Sequence, residues 1–185
     1  KAKRTPAERN DFITKRFNLF VNSSEQAFLD FEVIKRNNKI LDIESLRGHP
    51  CVGGFDLSQT EDFTSACLEF PLSSGEVFVL SHSWVPRKKV MLNNEKIPYE
   101  TLENDGLLTI CEKDYVEYED VEDWFIQQSK QFNIELITYD PANAYRLVNN
   151  LENKGFKTLA VRQGFLTLSP ALKDIKELLL DGKVI

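Results

Sequence analysis

Cys51-Val52-Gly53-Gly54-Phe55-Asp56-Leu57 reads as a short apolar strand that ends on an acid. Ile134-Glu135-Leu136-Ile137-Thr138-Tyr139 is a second run of strand type, and Asp140-Pro141 ends it in the same way. Two further strand candidates lie between them, Thr64 to Phe70 and Glu76 to Val85. Pro71-Leu-Ser-Ser-Gly75 separates these two with turn chemistry. Short connections make the first three strands an antiparallel meander. The strand at 134–139 follows a long crossover, so it can lie parallel to the first. Asp56 and Asp140 then come to the C-terminal ends of two neighbouring parallel strands. That edge is where open α/β sheets place their sites.

Helical patterns surround this frame. Tyr118 to Phe132 carries Val121, Trp124, Phe125 and Ser129 on one face, with Glu119, Asp120, Glu122 and Asp123 near its start, where acids suit the dipole. Asn143 to Asn153 is a helix stopped by Gly155. Lys157 to Arg162 is a fifth strand. Ser169 to Leu180 is a final helix, with Ser169-Pro170 as its cap and first turn. Pro86 to Pro98, with Arg87, Lys88, Lys89 and Lys96, reads as a polar loop, and Tyr99 to Asp105 as one short helix. At the start, Thr5-Pro6-Ala7-Glu8 is a capping box, and Phe12, Ile13, Phe17 and Phe20 follow at helical spacing. A second helical stretch is expected at roughly 25 to 37, with a connecting stretch from Leu41 to Pro50. The expected division is a helical arm over 1–49 and an α/β domain over 50–185, with a mixed sheet of three antiparallel and then two parallel strands.

The chain has 185 residues, 42% of them hydrophobic and 28% charged, enough for one buried core. A net charge of −6 excludes a basic coat for nucleic acid, although not a local basic patch. The three Cys (51, 67 and 111) form no CxxC pair, and only His49 and His82 could join them, so a structural zinc site is not expected. Their odd number and spacing suit reduced, buried thiols in an intracellular setting. No apolar run reaches the roughly 20 residues a membrane span needs, and no signal peptide opens the chain. Lys1 in place of Met reads as a piece of a longer protein.

A carboxylate at the end of a buried strand is costly unless something neutralises it. Mg²⁺ and Mn²⁺ do so with only one or two protein carboxylates, water and phosphate oxygens completing the shell. Asp56 and Asp140 together could hold metals about 3.5–4 Å apart for in-line displacement at phosphorus. An Asp alone at a strand end is more often a turn former or helix cap, and Asp140-Pro141 before a helix fits that role well; it is the pair at matching strand ends that points to a metal. Asp62 could turn back across the hairpin onto the same metal, or stand as a solvated turn residue. Ser58 and Thr60 suit phosphate or water contacts and suit a turn equally. Arg87, Lys88 and Lys89 beside Trp84 could grip a phosphate backbone or form a solvated loop. Cys51 opens an apolar strand and reads as a structural thiol. There is no GxxxxGK[ST] loop for ATP and no GxSxG elbow.

Five segments in order carry a likeness: Gly54-Phe-Asp56-Leu-Ser58, Asp62-Phe-Thr64, Trp84-Val-Pro86, Tyr139-Asp140-Pro141-Ala-Asn143, and Val161-Arg-Gln163-Gly-Phe165-Leu-Thr-Leu-Ser169-Pro170. From about residue 50 onward the chain resembles the nuclease domain of tailed-phage terminase large subunits, in the branch of siphophages and prophages. The resemblance implies a ribonuclease H-like fold. It implies a metal-dependent endonuclease that cuts concatemeric double-stranded DNA during genome packaging, with Mg²⁺ or Mn²⁺ as two ions. One ion would activate water and the other would stabilise the leaving oxygen. Asp56 and Asp140 match the family's metal-binding acids on strands one and four, and Asp62 matches a further acid of some relatives. The family's third catalytic acid lies beyond the final helix, so it is expected after Ile185. Asp174, Glu177 and Asp181 do not correspond to it. The implied partners are a preceding ATPase domain, the small terminase subunit and the portal, in the host bacterial cytoplasm and without a membrane. A junction resolvase or transposase-like nuclease on the same fold, or a non-catalytic assembly module, is the alternative.

Overall fold

The computed structural model describes residues 28–58, 62–94, 96–162 and 164–185. The expected capping box at Thr5 and the Phe12 to Phe20 helix lie outside the described residues, as do Thr60 and Gln163.

Among the described residues a short helix α1 (Phe31–Arg36) comes first, and a single 3₁₀ turn (Ile43–Leu46) then leads into the sheet. β1 (Pro50–Asp56), β2 (Thr64–Pro71) and β3 (Val77–Val85) form the expected antiparallel meander. Two short helices follow, α2 (Arg87–Leu92) and α3 (Tyr99–Asn104), and then β4 (Leu108–Ile110). The remainder alternates: α4 (Tyr118–Ser129), β5 (Asn133–Tyr139), α5 (Tyr145–Asn153), β6 (Thr158–Ala160) and α6 (Phe165–Leu180). Among the described residues six strands make one sheet, in the order β4-β3-β2-β1-β5-β6. β5 is parallel to β1, and β6 to β5.

The sheet has one dry face. Phe55, Leu68, Phe70 and Ile137 point to it and are fully or almost fully buried. α4 covers it with Val121 and Phe125, and α5 with Leu147 and Leu151. Burying a side chain such as Phe125 contributes about 1.5–3 kcal/mol, so this layer dominates stability. Gly53 sets how closely α4 can approach. A Cβ there would sit 2.9 Å from Phe125 Cε1 and 3.2 Å from Ile137 Cγ1, so no larger residue fits without displacing the Phe125 ring. Glu122 of α4 is buried but satisfied: Asn150 of α5 donates to it at 2.8 Å, and Lys154 lies 3.3 Å away. A smaller cluster on the other face joins Val85, Tyr99 and Leu108 to Phe63 and Val90.

Three expectations are corrected. Residues 86–98 are not all loop, because Arg87–Leu92 is helical and its Val90 packs into the smaller cluster. Three consecutive cations had masked that single apolar contact. β4 was not expected. It has three residues, too few to show an alternating pattern, and pairs parallel with Ser83–Val85. The final helix begins at Phe165 rather than Ser169, and Pro170 lies inside it. Thr167 and Leu168 both donate backbone N–H groups to the Gly164 carbonyl, which closes the first turn before the proline.

The segment before β1 is tied to the chain's last residues. Asn37 donates to the Leu179 carbonyl at 2.8 Å and accepts from the Val184 N–H at 3.1 Å. Lys39 reaches Glu76 and the Gly182 carbonyl, both at 2.6 Å. Val184 forms a parallel bridge with Val77. This joint lies at the opposite end of β1 from Asp56.

Candidate active site

The β1–β5 register brings the two sequence-predicted acids together. Gly53 pairs with Ile137, Gly54 with Thr138 and Phe55 with Tyr139, so Asp56 and Asp140 are the next residues on neighbouring parallel strands. Such strands run about 4.8 Å apart. Both acids line one cleft of about 460 Å³. Directly behind them the Phe55 and Tyr139 rings stack, with centroids 5.6 Å apart and planes 8° from parallel. Phe125 meets Phe55 edge-on at 6.1 Å. The Thr138 hydroxyl donates to the Gly53 carbonyl at 3.1 Å, a further tie between the two strands. The acids therefore sit on strand ends fixed from the dry face.

Asp140 is half-buried and Asp56 is exposed. One Asp140 oxygen accepts the Ala142 N–H at 3.0 Å. That is the turn-forming role open to an Asp before Pro, and it leaves the second oxygen for another partner. The cleft also takes in Ser65 and Cys67 of β2, Ser83 of β3 and Thr138 of β5, with Leu168 of α6 at its rim. Sequence reading missed these side chains. Their signal was the alternation itself: each stands one residue away from an inward apolar position.

Asp62 does not line that cleft. Its carboxylate accepts the Phe63 N–H at 2.9 Å and faces Lys89 at 3.5 Å. The Phe63 hydrogen bond holds its pKa below the usual carboxylate range, and Lys89 acts in the same direction. Ser58 has turned inward on the same loop, donating its hydroxyl to the Asp62 carbonyl at 2.8 Å. Of the three basic residues, Arg87 and Lys88 are exposed on α2. Lys89 is only 19% exposed, paired with Asp62 and seated 5.5 Å over the Phe63 ring.

The remaining candidates fall away from the cleft or from reactivity. Glu177 faces Lys173 at 3.8 Å, and Asp181 faces Lys183 at 3.5 Å. Neither they nor Asp174 line the cleft. Burial pushes the Cys51 and Cys111 thiols up to about 11, and Cys67 is raised for the same reason, so none is a ready thiolate. His82 shares a 2.9 Å hydrogen bond with Thr109 and packs edge-on to Trp84. Among the described residues no group of three His, Cys, Asp or Glu side chains converges as a metal cage. What converges is a pair of carboxylates at one edge of the sheet.

The family model for the terminase large subunit, endonuclease domain, matches residues 1–185. The chain belongs to that family. Its fold is similar to that of the HK97 bacteriophage large terminase, with a TM-score of 0.75 at 21% identity, over 99% of this chain and 38% of that one. The large terminase nuclease of thermophilic phage G20c is more distant, with a TM-score of 0.47 at 9% identity, over 74% of this chain and 57% of that one. No curated protein sequence matches the chain. The sheet is thus the ribonuclease H-like mixed sheet that the resemblance implied, with β4 added at its edge. This terminase nuclease domain spans 38% of the length of the HK97 protein. Among its described residues, no helix is long and apolar enough to cross a membrane.

Proposed function

We propose that this terminase nuclease domain hydrolyses phosphodiester bonds of double-stranded DNA with divalent cations, Mg²⁺ or Mn²⁺, held at Asp56 and Asp140. The supporting observation is the β1–β5 register, which ends two parallel strands on acids that share one cleft. The donor chemistry fits. Both side chains offer hard oxygens, and the open cleft leaves room for water and phosphate oxygens in the remaining octahedral positions. Two bound cations would supply an activated water on one side of the phosphorus and charge stabilisation of the leaving oxygen on the other.

The chain's own residues set the stage for that chemistry. Asp56, exposed, faces the incoming strand, while Asp140 is held by its Ala142 contact. Without cations the two carboxylates would repel a phosphate backbone, so binding and cutting share one requirement. Asp62 is left out of the ligand set because its carboxylate is committed to Phe63 and Lys89. Arg87 and Lys88 on α2 remain the candidates for backbone contacts away from the acids. In the phage setting the substrate would be concatemeric DNA in the host bacterial cytoplasm. The ATPase domain of the large subunit, the small subunit and the portal would be the partners.

The experiment is plasmid cleavage by the chain with Mn²⁺, Mg²⁺ or EDTA, beside Asp56→Ala and Asp140→Ala. Metal-dependent nicking or linearisation that disappears in both variants is expected. Cutting that survives both substitutions would refute the assignment.

A further inference from the structure

Two serines continue the row that the acids begin. Asp56 pairs with Ser65, and Ser65 pairs with Ser83. With Asp140 following Tyr139, the partner of Phe55, the row across four strands is Asp140, Asp56, Ser65, Ser83. At about 4.8 Å per strand, the two hydroxyl positions lie about 5 and 10 Å from Asp56 along the row. All four residues line the same cleft. Both serines are half-buried, so they remain in reach of a ligand. Their Oγ atoms meet at 2.8 Å. One hydroxyl donates to the other, and the accepting serine keeps its own proton to give outward.

The strand that carries Ser65 sorts its residues by face. β2 is antiparallel to both neighbours and packed on one face only, so apolar and polar positions alternate along it. The dry face of β2 obeys this, with Ala66, Leu68 and Phe70 buried. Its other face carries Ser65 and Cys67, opposite Ser83 and Ser81 of β3. Beyond the Ser65–Ser83 hydrogen bond, hydroxyls there have no apolar layer to pack against. They suit a polar ligand lying on the sheet.

We propose that Ser65 and Ser83 contact a phosphate of the DNA strand that flanks the one being cut, so that the strand runs across the sheet from Asp140 towards β3. This rests on the nuclease reading above. Ser hydroxyls are ordinary phosphate donors, and such contacts set register without reading sequence. Being neutral, they hold the strand without pairing with Asp56, as a lysine at the same position would.

The test is steady-state cleavage of a short duplex by the wild-type chain and by the Ser65→Ala/Ser83→Ala double variant. It is repeated on duplexes carrying one methylphosphonate at each phosphate around the cut. The double variant is expected to raise KM about three- to tenfold with kcat within about twofold, the size of a lost neutral hydrogen bond. Wild type should lose affinity for the duplex modified at a flanking phosphate, and the variant should lose less. An unchanged KM, a fall in kcat alone, or equal methylphosphonate penalties in both proteins would overturn the serine contact and leave the nuclease standing. If the variant does not fold, the scan on wild type decides, and no penalty at either flanking phosphate overturns the proposal. If neither this chain nor the full-length large subunit, which carries the acid expected after Ile185, cuts DNA with either metal, the nuclease reading falls and the serine contact with it.

Discussion

On one face of the central strands Phe55, Ala66, Leu68 and Trp84 meet α4 and α5; on the other, Asp56, Ser65, Cys67 and Ser83 meet an open cleft. The residues alternate along the same backbone, so each polar position is held by its apolar neighbours. Phe55 and Asp56 show this most directly. The ring is locked between Tyr139 and Phe125, and the carboxylate one residue later inherits that fixed place. The contrast teaches that stability and chemistry are divided by face, not by segment. Substitutions on the two faces should therefore separate stability from cutting.

The largest separation is expected at the acids. Asp56→Ala or Asp140→Ala should take plasmid cleavage below detection while leaving the urea midpoint within the range of an ordinary surface change, about 0.5 kcal/mol. A collapse of stability in either variant would break the division. On the dry face, Phe125→Ala should cost about 3–5 kcal/mol by urea unfolding, as for a fully buried ring. Next comes Gly53→Ala, expected to cost about 1–3 kcal/mol because its Cβ would press on the Phe125 ring. Gly54→Ala, on the cleft face, meets Thr138 Oγ1 at 3.3 Å, Cys67 Sγ at 3.6 Å and the Thr138 carbonyl oxygen at 3.8 Å, none as close as Phe125 is to Gly53, so its stability loss should be the smaller of the two. Equal losses would show that α4 can shift.

Tyr139 sharpens the comparison because it belongs to the dry face yet sits under the acids. Tyr139→Phe should keep both stability and cutting. Tyr139→Ala should lose the stack, worth about 0.5–1.5 kcal/mol beyond area, and should lower kcat through misplaced carboxylates. The smallest effect is expected at Asp62. Its pKa is lowered in the folded chain, so its contribution is present at neutral pH and fades as pH falls through the folded pKa. Asp62→Asn should flatten the acid side of the stability profile slightly, by at most about 0.5 kcal/mol, because the side chain is 78% exposed. It should leave cutting intact, and a nuclease-dead Asp62→Asn would return this acid to the metal site.

Much of this division was legible in the chain. Two apolar runs ending on acids, with a crossover between them, place Asp56 and Asp140 at neighbouring strand ends, and the register bears this placement out. The long alternating strands were readable because burial of one face imposes a period of two. β4 was not, since Leu108 to Ile110 is too short to carry a period. α2 was hidden because its helical pattern has one half-buried apolar contact, Val90, beside three cations. The start of α6 was misread because Ser169-Pro170 imitates a helix start, while the first turn is closed by a backbone carbonyl of Gly164, which leaves no side-chain signature. Ser65 and Ser83 could not be joined to the acids from sequence, because cross-strand register is a property of pairing.

The most direct test of the central claim is Mn²⁺ binding to the chain by electron paramagnetic resonance, without DNA, for wild type, Asp56→Asn and Asp140→Asn. Wild type is predicted to capture Mn²⁺, and each substitution to weaken that binding about tenfold or more, as loss of a charged ligand from a small carboxylate set requires. Equal Mn²⁺ binding in all three proteins would contradict the assignment of these two strand ends as the metal centre.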